Sequence, residues 1–527
     1  MPNVSFRSVS NLFKTRSNDV TSATPAVTKP VSDMPATRLP PLDTTLLKDA
    51  AGRHINAERS MRSQSIRYEL NANNGRYADG KRNVAQSMNA GNTPHPMHFV
   101  ILPPDAVKFF APAGDTEAAK ILATLQRTLT DPKTGKQEQV VLLPVHWEEA
   151  KVLAEKNPAL RIVTDGEVYA SASPRSLFFG PMAGQVPQEL AAIESYSVKT
   201  GLSAEAYKRL GGLGGSRELN YNDLLFASAL SHAMERLKPL FSPYVEFQSE
   251  ARTIAGRIPQ GAGETVEVGA IFRELPKTPT VPGFALFSET TESLPHVPQK
   301  TGVVDVSRTG VPTDRKRILA TEAIDFAVSK NPGMTREQAF LKLFVEPLLD
   351  VFFTMAKEGV TMELHPQNFS LKFSPDTGLV EKVVIRDLHG LGYDAAWRKQ
   401  NGKEDVMSVE SLRPAYPDIT QEDINGYFMR NGEIRDRYKL PSMVSSTLDF
   451  FMSTFFYQLL NSTTPQPFDA KQIESVMNGI KGKIVSEAAR HDFDLGQLPQ
   501  PKGNSTYGAI ADSGIRGKIV FRNRTDI

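Results

Sequence analysis

The sequence contains no cysteine, which excludes disulfides, thiolate metal ligands and cysteine nucleophiles, and with them the zinc-finger and thiol-enzyme classes. It also lacks an apolar run of the roughly 20 residues that a membrane-spanning helix requires. Its greasiest stretch, Phe340 to Met355, is broken by Lys342, Glu346, Pro347 and Asp350. A soluble protein with no membrane partner is the expectation. Net charge is nearly absent too, +2 over 527 residues, so there is no electrostatic case for nucleic acid, whose partners concentrate basic residues to neutralise phosphates.

What is present fits an ordinary globular chain, 40% hydrophobic and 23% charged, with length for two to four domains. Its charge is uneven. Residues 1–90 hold 13 Lys and Arg against 7 Asp and Glu. That segment is rich in Ser, Thr, Asn, Arg and Pro, has no sustained hydrophobic period, and reads as a disordered basic extension. It has no apolar signal-peptide core. A cytoplasmic location is expected, with secretion through this extension as the alternative.

Order is expected from Pro94 onward. His98 to Leu102 and Gln139 to Pro144 read as buried strands, and Asp115 to Thr130 carries a helical pattern. Further strand-like pieces lie at Leu160 to Val163 and Glu167 to Tyr169, with helices around Ala204 to Leu210 and Tyr221 to Leu240. Between these helices, Gly211 to Gly215 reads as a flexible turn, because it lacks both the GK[ST] ending and the preceding strand of a phosphate loop. Pro276 to Thr313, dense in Pro, Thr, Ser and Gly, reads as a long surface loop or lid. Thr335-Arg-Glu-Gln338 forms a capping box, and Phe340, Phe344, Leu348, Phe352 and Met355 then share one helical face that suits core packing. Gly359 ends that helix. Val360 to Leu364, Phe369 to Phe373 and Leu379 to Ile385 read as strands, the last two joined as a hairpin. From Leu440 onward the pattern is mainly helical.

Four polar side chains, Glu363, His365, Gln367 and Asn368, crowd the end of an apolar strand. Buried without partners, each would cost about 1–3 kcal/mol. Glu363 and Asp387 are hard oxygen donors suited to Mg²⁺, to which Asn368 adds a neutral oxygen. His365 and Gln367 suit a reacting carboxylate, and His365 can move a proton near neutral pH. The bland alternative is that His365 and Asn368 merely satisfy backbone groups in a strand-exit turn. The spacing of Glu363, Asn368 and Asp387 also fits a kinase-like phosphotransferase, although HRD and DFG triplets and a Gly-rich loop with its lysine are absent. Upstream, Ser173-Pro174-Arg175-Ser176 offers two hydroxyls and a guanidinium, a set that suits phosphate.

These motifs, in this order, resemble the IucA/IucC family of NRPS-independent siderophore synthetases. The resemblance rests on His95-Pro96-Met97-His98, Pro144-Val145-His146-Trp147, Ser173 to Ser176, Arg273-Glu274-Leu275-Pro276, Glu363 to Asn368, and Arg386-Asp387-Leu388-His389-Gly390. It covers about residues 91–490 and is most specific in the last two motifs. Phe99 stands where the family has proline, Leu102 where a lysine is usual, Trp147 directly follows His146, and Ser176 replaces threonine.

The resemblance implies an α+β, multi-lobed, cupped-hand fold with mixed or antiparallel sheets and a helical C-terminal part. Its expected domains are an N-terminal α/β lobe over 91–240, a central ATP- and Mg²⁺-binding lobe over 241–440, and a helical part over 441–527. It further implies a bacterial ligase of iron acquisition that adenylates citrate or a related polycarboxylic acid with ATP and Mg²⁺. An amine, hydroxylamine or alcohol then displaces AMP; the resemblance also admits a homodimer. Residue by residue, Ser173, Arg175 and Ser176 would hold phosphates, with His95 and Arg273 nearby. Glu363, Asn368 and Asp387 would face the nucleotide and Mg²⁺, and His365 and Gln367 would lie near the acyl group. Lys199 would approach the α-phosphate and Arg209 would grip the substrate carboxylate, with Arg217 competing for that place. The alternatives are the phosphotransferase and a non-catalytic binding or delivered protein that keeps the fold.

Overall fold

The computed structural model describes residues 95–495, except 131–136, 171–174, 180–187, 211–215, 261–263, 277–279, 288, 291–316, 363–365, 367, 431–432, 435–439 and 451–467. The basic extension, the Gly-rich turn at 211–215, most of the 276–313 loop, and Ser173, Glu363, His365 and Gln367 therefore lie outside the described residues. The fold is α+β, with sheets that are antiparallel except for one strand pair.

The first half builds a nine-stranded sheet in the order β2-β9-β10-β7-β6-β5-β1-β4-β3. Its strands are β1 (His95–Leu102), β2 (Val107–Phe110), β3 (Gln126–Thr130), β4 (Gln137–Val145), β5 (Ile162–Ala170), β6 (Ser176–Phe179), β7 (Tyr196–Thr200), β9 (Arg252–Pro259) and β10 (Thr265–Glu274); β8 belongs to the second sheet. Helices α1 (Thr116–Leu125), α2 (Trp147–Lys156), α3 (Ala204–Arg209) and α4 (Tyr221–Leu237) are interleaved. Where one helix reads from Asp115 to Thr130, the structure has α1 ending at Leu125 and β3 following it. β3 pairs antiparallel with β4, so a ladder available only in the fold overrides the local helical pattern.

Period-2 alternation decides which side chains reach the site. Along β7 and β10, Tyr196, Val198, Val268, Ala270 and Phe272 enter one apolar core. The intervening Lys199, Ile271 and Arg273 face the other side, where Ile271 joins the core containing Leu224, Leu230 and Met234 of α4. That helix begins with a reciprocal capping box between Asn220 and Asp223.

The second sheet has the order β11-β15-β16-β8, from β8 (Val245–Phe247), β11 (Val281–Pro282), β15 (Phe369–Phe373) and β16 (Val380–Ile385). β15 and β16 form the expected hairpin, and β8 runs parallel to β16. A small ladder, β12 (Glu289–Thr290) with β13 (Arg317–Ile318), flanks the undescribed loop. Helices α5 (Leu319–Lys330), α6 (Arg336–Phe340) and α7 (Glu346–Lys357) follow. The Thr335–Gln338 capping box is present, and Phe340, Phe344, Leu348, Phe352 and Met355 are all buried. The helical path widens to a π turn over Leu341–Val345 before α7. The strand read at 360–364 is shorter: β14 (Val360–Thr361) leaves the hairpin and pairs with β17 (Gly392–Tyr393). Later helices include α8 (Ala395–Gln400), α9 (Val409–Leu412), α10 (Gln421–Phe428), α11 (Leu440–Phe450) and α12 (Ala470–Arg490). No helix of the described residues is long and apolar enough to cross a membrane.

Gly269 lets α4 approach β10: a Cβ there would strike Leu224 of α4 and lie 2.6 Å from the Ile254 carbonyl oxygen. Gly269→Ala is expected to lower stability by about 1–3 kcal/mol through overpacking. Gly482→Ala, in α12 with nothing within 4 Å of the added carbon, is expected to gain up to about 1 kcal/mol. Urea denaturation of both variants checks the contrast.

Candidate functional site

β16 and β8 end side by side, and the Gln248 amide donates to the Ile385 carbonyl at 2.8 Å. The two chains leaving these strands carry Glu250 and Asp387 to one place. Asp387 adopts a left-handed backbone, φ 65° and ψ 46°, just before a short 3-10 turn at Leu388–Gly390 that bears His389. Aspartate tolerates that region better than most residues. Glu250 is fully buried and pinned from α4: its amide donates to Ser231 Oγ at 2.9 Å, and Ser228 Oγ donates to the Ala251 carbonyl.

Lys199 and Arg273 descend on these acids from the large sheet. Lys199 Nζ pairs with Asp387 Oδ1 and lies 3.2 and 3.3 Å from the two ring nitrogens of His389. Arg273 donates to Glu250 Oε1 through Nε at 2.8 Å and Nη2 at 2.6 Å, and Nη2 reaches Asp387 Oδ1 at 3.0 Å. His389 Nδ1 stands 3.2 Å from Asp387 Oδ1 and 3.5 Å from Glu250 Oε2. Both cationic side chains are 4% exposed, Glu250 is 0% and Asp387 is 28% exposed.

Four formal charges thus share a nearly dry space, where ionisation survives only by mutual compensation. Burial pushes the Glu250 carboxyl up, but Arg273, the His389 hydrogen bond and Lys199 outweigh it and hold the group at about 2. Burial opposes ionisation of Asp387 too, and Lys199, His389 and Arg273 overcome it, keeping this carboxyl well below the usual range. Burial pulls Lys199 down to about 8 against the attraction of Asp387.

Beside this balanced group stand further cations. Arg175 precedes β6, and its Nη1 donates to the Arg217 carbonyl at 2.9 Å. Arg217 is fixed by a backbone bridge to Leu202 and lies over the Tyr207 ring at 5.2 Å. Among the described residues neither arginine forms an ion pair. Burial pulls the Arg175 guanidinium down, Asp387 opposes it, and Arg217 and Arg273 add repulsion. Ser176 lies opposite Lys199 in the β6–β7 register, on the same sheet face. Its Oγ is buried and has no hydrogen-bond partner among the described residues.

The hairpin register sets Asn368 across from Arg386, whose amide donates to the Asn368 carbonyl at 2.8 Å, so Asn368 comes to the end of the sheet that carries Asp387. Arg175, Ser176, Lys199, Arg273, Asn368 and Asp387 are therefore brought to one region. His95 and Arg209 are placed elsewhere. The His95 ring stacks on Trp147 at 3.9 Å, and His146 stacks on that same indole. Arg209 is engaged by Glu155 at 2.9 and 2.6 Å and by Glu205 at 2.7 Å. These two acids raise its pKa. Arg217, rather than Arg209, is the arginine beside Arg175. Sequence reasoning missed Glu250 and His389 as site residues. His389 lies inside the quoted Arg386–Gly390 motif, whereas nothing in Ser249-Glu250-Ala251 marks a buried acid.

No family model and no curated protein matches this chain. Solved structures resemble it in fold. Aerobactin synthetase IucA from a hypervirulent pathotype of Klebsiella pneumoniae is 14% identical, with 80% of this chain and 68% of that chain covered and a TM-score of 0.45. Petrobactin biosynthesis protein AsbB from Bacillus anthracis str. Sterne is 13% identical, with 83% and 68% covered and a TM-score of 0.46. Aerobactin synthetase IucC from the same Klebsiella pathotype is 13% identical, with 85% and 77% covered and a TM-score of 0.43.

The depressed carboxyl pKa values of Glu250 and Asp387 make the cluster acid-sensitive. Both acids bind fewer protons in the folded chain than in the unfolded one, so their contribution is complete above the ordinary carboxylate range. For Glu250 it is lost as pH falls from 4.5 toward about 2. Glu250→Gln is expected to cost about 3 kcal/mol by removing one of the two anions against which Arg273 is buried, and to flatten the acid slope. Denaturation midpoints measured across that pH window test this, and an unchanged slope would show that Glu250 does not carry it.

Proposed function

We propose that this protein is an ATP-dependent synthetase that activates a polycarboxylic acid such as citrate by adenylation and joins it to an amine, hydroxylamine or alcohol, as in siderophore-like biosynthesis. The observation that carries the reading is the charge arrangement at the sheet junction. Lys199 and Arg273 are balanced by Asp387 and Glu250, while Arg175 and Arg217 beside them add positive charge with no carboxylate partner among the described residues. The Ser176 hydroxyl is buried there without a partner. A phosphate chain would answer all of this, because its oxygens accept from guanidinium groups and hydroxyls together.

The residues also fit a nucleotide-bound Mg²⁺. Asp387 Oδ1 takes Lys199, Arg273 and His389, whereas Oδ2 accepts nothing from the described residues, and the side chain is 28% exposed. Mg²⁺ is commonly held by one or two carboxylates plus phosphate oxygens. When bound, it would neutralise phosphate charge that otherwise repels an incoming carboxylate. Arg175, Arg217 and Ser176 would hold the phosphates, Arg273 would stay fixed by Glu250, and Lys199 would stabilise charge developing at the α-phosphorus. Asn368 would add a neutral oxygen, and Glu363, His365 and Gln367, outside the described residues, keep their proposed places near metal and acyl group.

Two other readings are distinguished by product. A phosphotransferase would use the same Asp387 and release ADP. A non-catalytic protein is favoured by the mutual neutralisation of Lys199 and Asp387, which leaves the acid engaged, and would release nothing. With Mg-ATP, a panel of polycarboxylates and hydroxylamine, the expected outcome is acid-dependent release of AMP and pyrophosphate. Asp387→Asn is expected to abolish it, and Lys199→Met to slow it about 10²- to 10³-fold, the scale of losing one stabiliser of transition-state charge. ADP as the product, or turnover unchanged in Asp387→Asn, would overturn the reading.

A further inference from the structure

The carboxylates of Glu250 and Asp387 and the imidazole of His389 each offer a ligand atom, and the three atoms lie within 4.8 Å of one another. His389 Nδ1 is 3.2 Å from Asp387 Oδ1 and 3.5 Å from Glu250 Oε2. Ligands about 2.1 Å from one ion stand about 3.0 Å apart at an octahedral edge and about 3.4 Å apart at a tetrahedral one. The two spacings from His389 are of that size. A neutral imidazole carries one N–H, yet here a single ring nitrogen faces two ionised carboxylates.

A cation already stands against two of them, Asp387 and His389. The Lys199 ammonium pairs with Asp387 and stands within 3.3 Å of both ring nitrogens of His389. Across the β6–β7 ladder from Lys199, on the same face of the sheet, the Ser176 hydroxyl is 1% exposed and has no partner among the described residues. Such a hydroxyl would accept from an ammonium displaced from Asp387. Only one oxygen of each acid is strongly engaged. Glu250 Oε1 takes both Arg273 bonds, while Oε2 receives the His389 amide at 3.4 Å and faces its Nδ1 at 3.5 Å; Asp387 Oδ2 accepts nothing from the described residues.

We propose that Glu250, Asp387 and His389 form a binding site for a divalent transition-metal ion, which takes the place now held by the Lys199 ammonium. A mixed carboxylate and imidazole set selects manganese, iron or zinc over magnesium, since magnesium prefers an all-oxygen shell. Arg273 stays bound to Glu250 and keeps that carboxylate oriented. The site shares Asp387 with the proposed nucleotide site but binds its ion without nucleotide.

The same fold supplies a contrast. Asp350, Glu487 and His491 also bring three ligand atoms within 4.8 Å. There Arg490 pairs with both acids and Ser242 donates to the second Asp350 oxygen, so that triad is a closed ion network.

The test uses the full chain, freed of metal by chelation, with Mn²⁺ as the probe followed by electron paramagnetic resonance and calorimetry. One saturable site per chain is expected, with Mg²⁺ competing at least about tenfold less well. His389→Gln is expected to weaken Mn²⁺ at least about tenfold, as loss of a metal-supporting group does, and His491→Gln to leave it unchanged. Lys199→Met removes the competing ammonium and is expected to tighten Mn²⁺, an outcome that a purely structural ion pair does not produce. Circular dichroism of each variant identifies any that fails to fold, and Asp387→Asn supplies a second ligand-loss variant. No saturable site, equal affinity in His389→Gln, or loss in His491→Gln overturns the proposal. Because neither ATP nor acid is present, its failure leaves the synthetase reading standing, and absence of AMP release leaves the metal site standing.

Discussion

Asp387 is held by cations that come from strands far away in sequence, and much of the site depends on that convergence. Lys199 lies 188 positions before it and Arg273 lies 114 before it. At 4% exposure Lys199 is held in its charged form by its anion, Arg273 keeps its charge at any exposure and needs an anion to answer it, and Glu250, fully buried, could not remain ionised without Arg273. Such pairs contribute little net stability relative to apolar residues of the same volume, but breaking one is costly. Their consequence is positional. The large sheet and the β8–β16 edge have to meet in one arrangement for all four charges to be satisfied.

α4 transmits that requirement into the apolar core. Its buried face packs against Ile271 and Ala255 of the sheet, while Ser228 and Ser231 hold the backbone around Glu250. Thr253 Oγ1, two residues from Ala251, donates to the Leu224 carbonyl at 3.0 Å. A helix that reads as simple core packing therefore also fixes the acid that fixes Arg273. Positive charge in excess of this closed set, from Arg175 and Arg217, is what the proposed phosphate site rests on.

Local chemistry made several elements legible from the amino acids. The Thr335 and Gln338 side chains can satisfy each other's backbone donors within one turn, so that helix start needed no tertiary partner. The aromatic stripe from Phe340 to Met355 could only be buried, and the Ser374–Gly378 turn set the β15–β16 hairpin. Residues 126–130 misled because their pairing partner, β4, lies elsewhere in the chain, and the strand read at 360–364 is present at Val360–Thr361 but finds its partner in β17. Alternating strand and helix patterns showed a mixed fold, the family resemblance implied the α+β class, and neither supplied the order of strands.

At the site, the sequence by itself determined that a carboxylate in Arg386-Asp387 would end an apolar strand opposite Asn368, because both flank a hairpin whose register is local. It also determined the absence of thiol chemistry and the excess basic charge of residues 1–90. Only the tertiary structure decided which cations meet that carboxylate. Arg209 and Arg217 are alike in sequence, yet Glu155 and Glu205 take the first, and the backbone bridge to Leu202 sets the second beside Arg175. Glu250 and His389 enter the site for the same reason: a charge buried far from water must be answered by groups close in space, and closeness in space is not written in chain order.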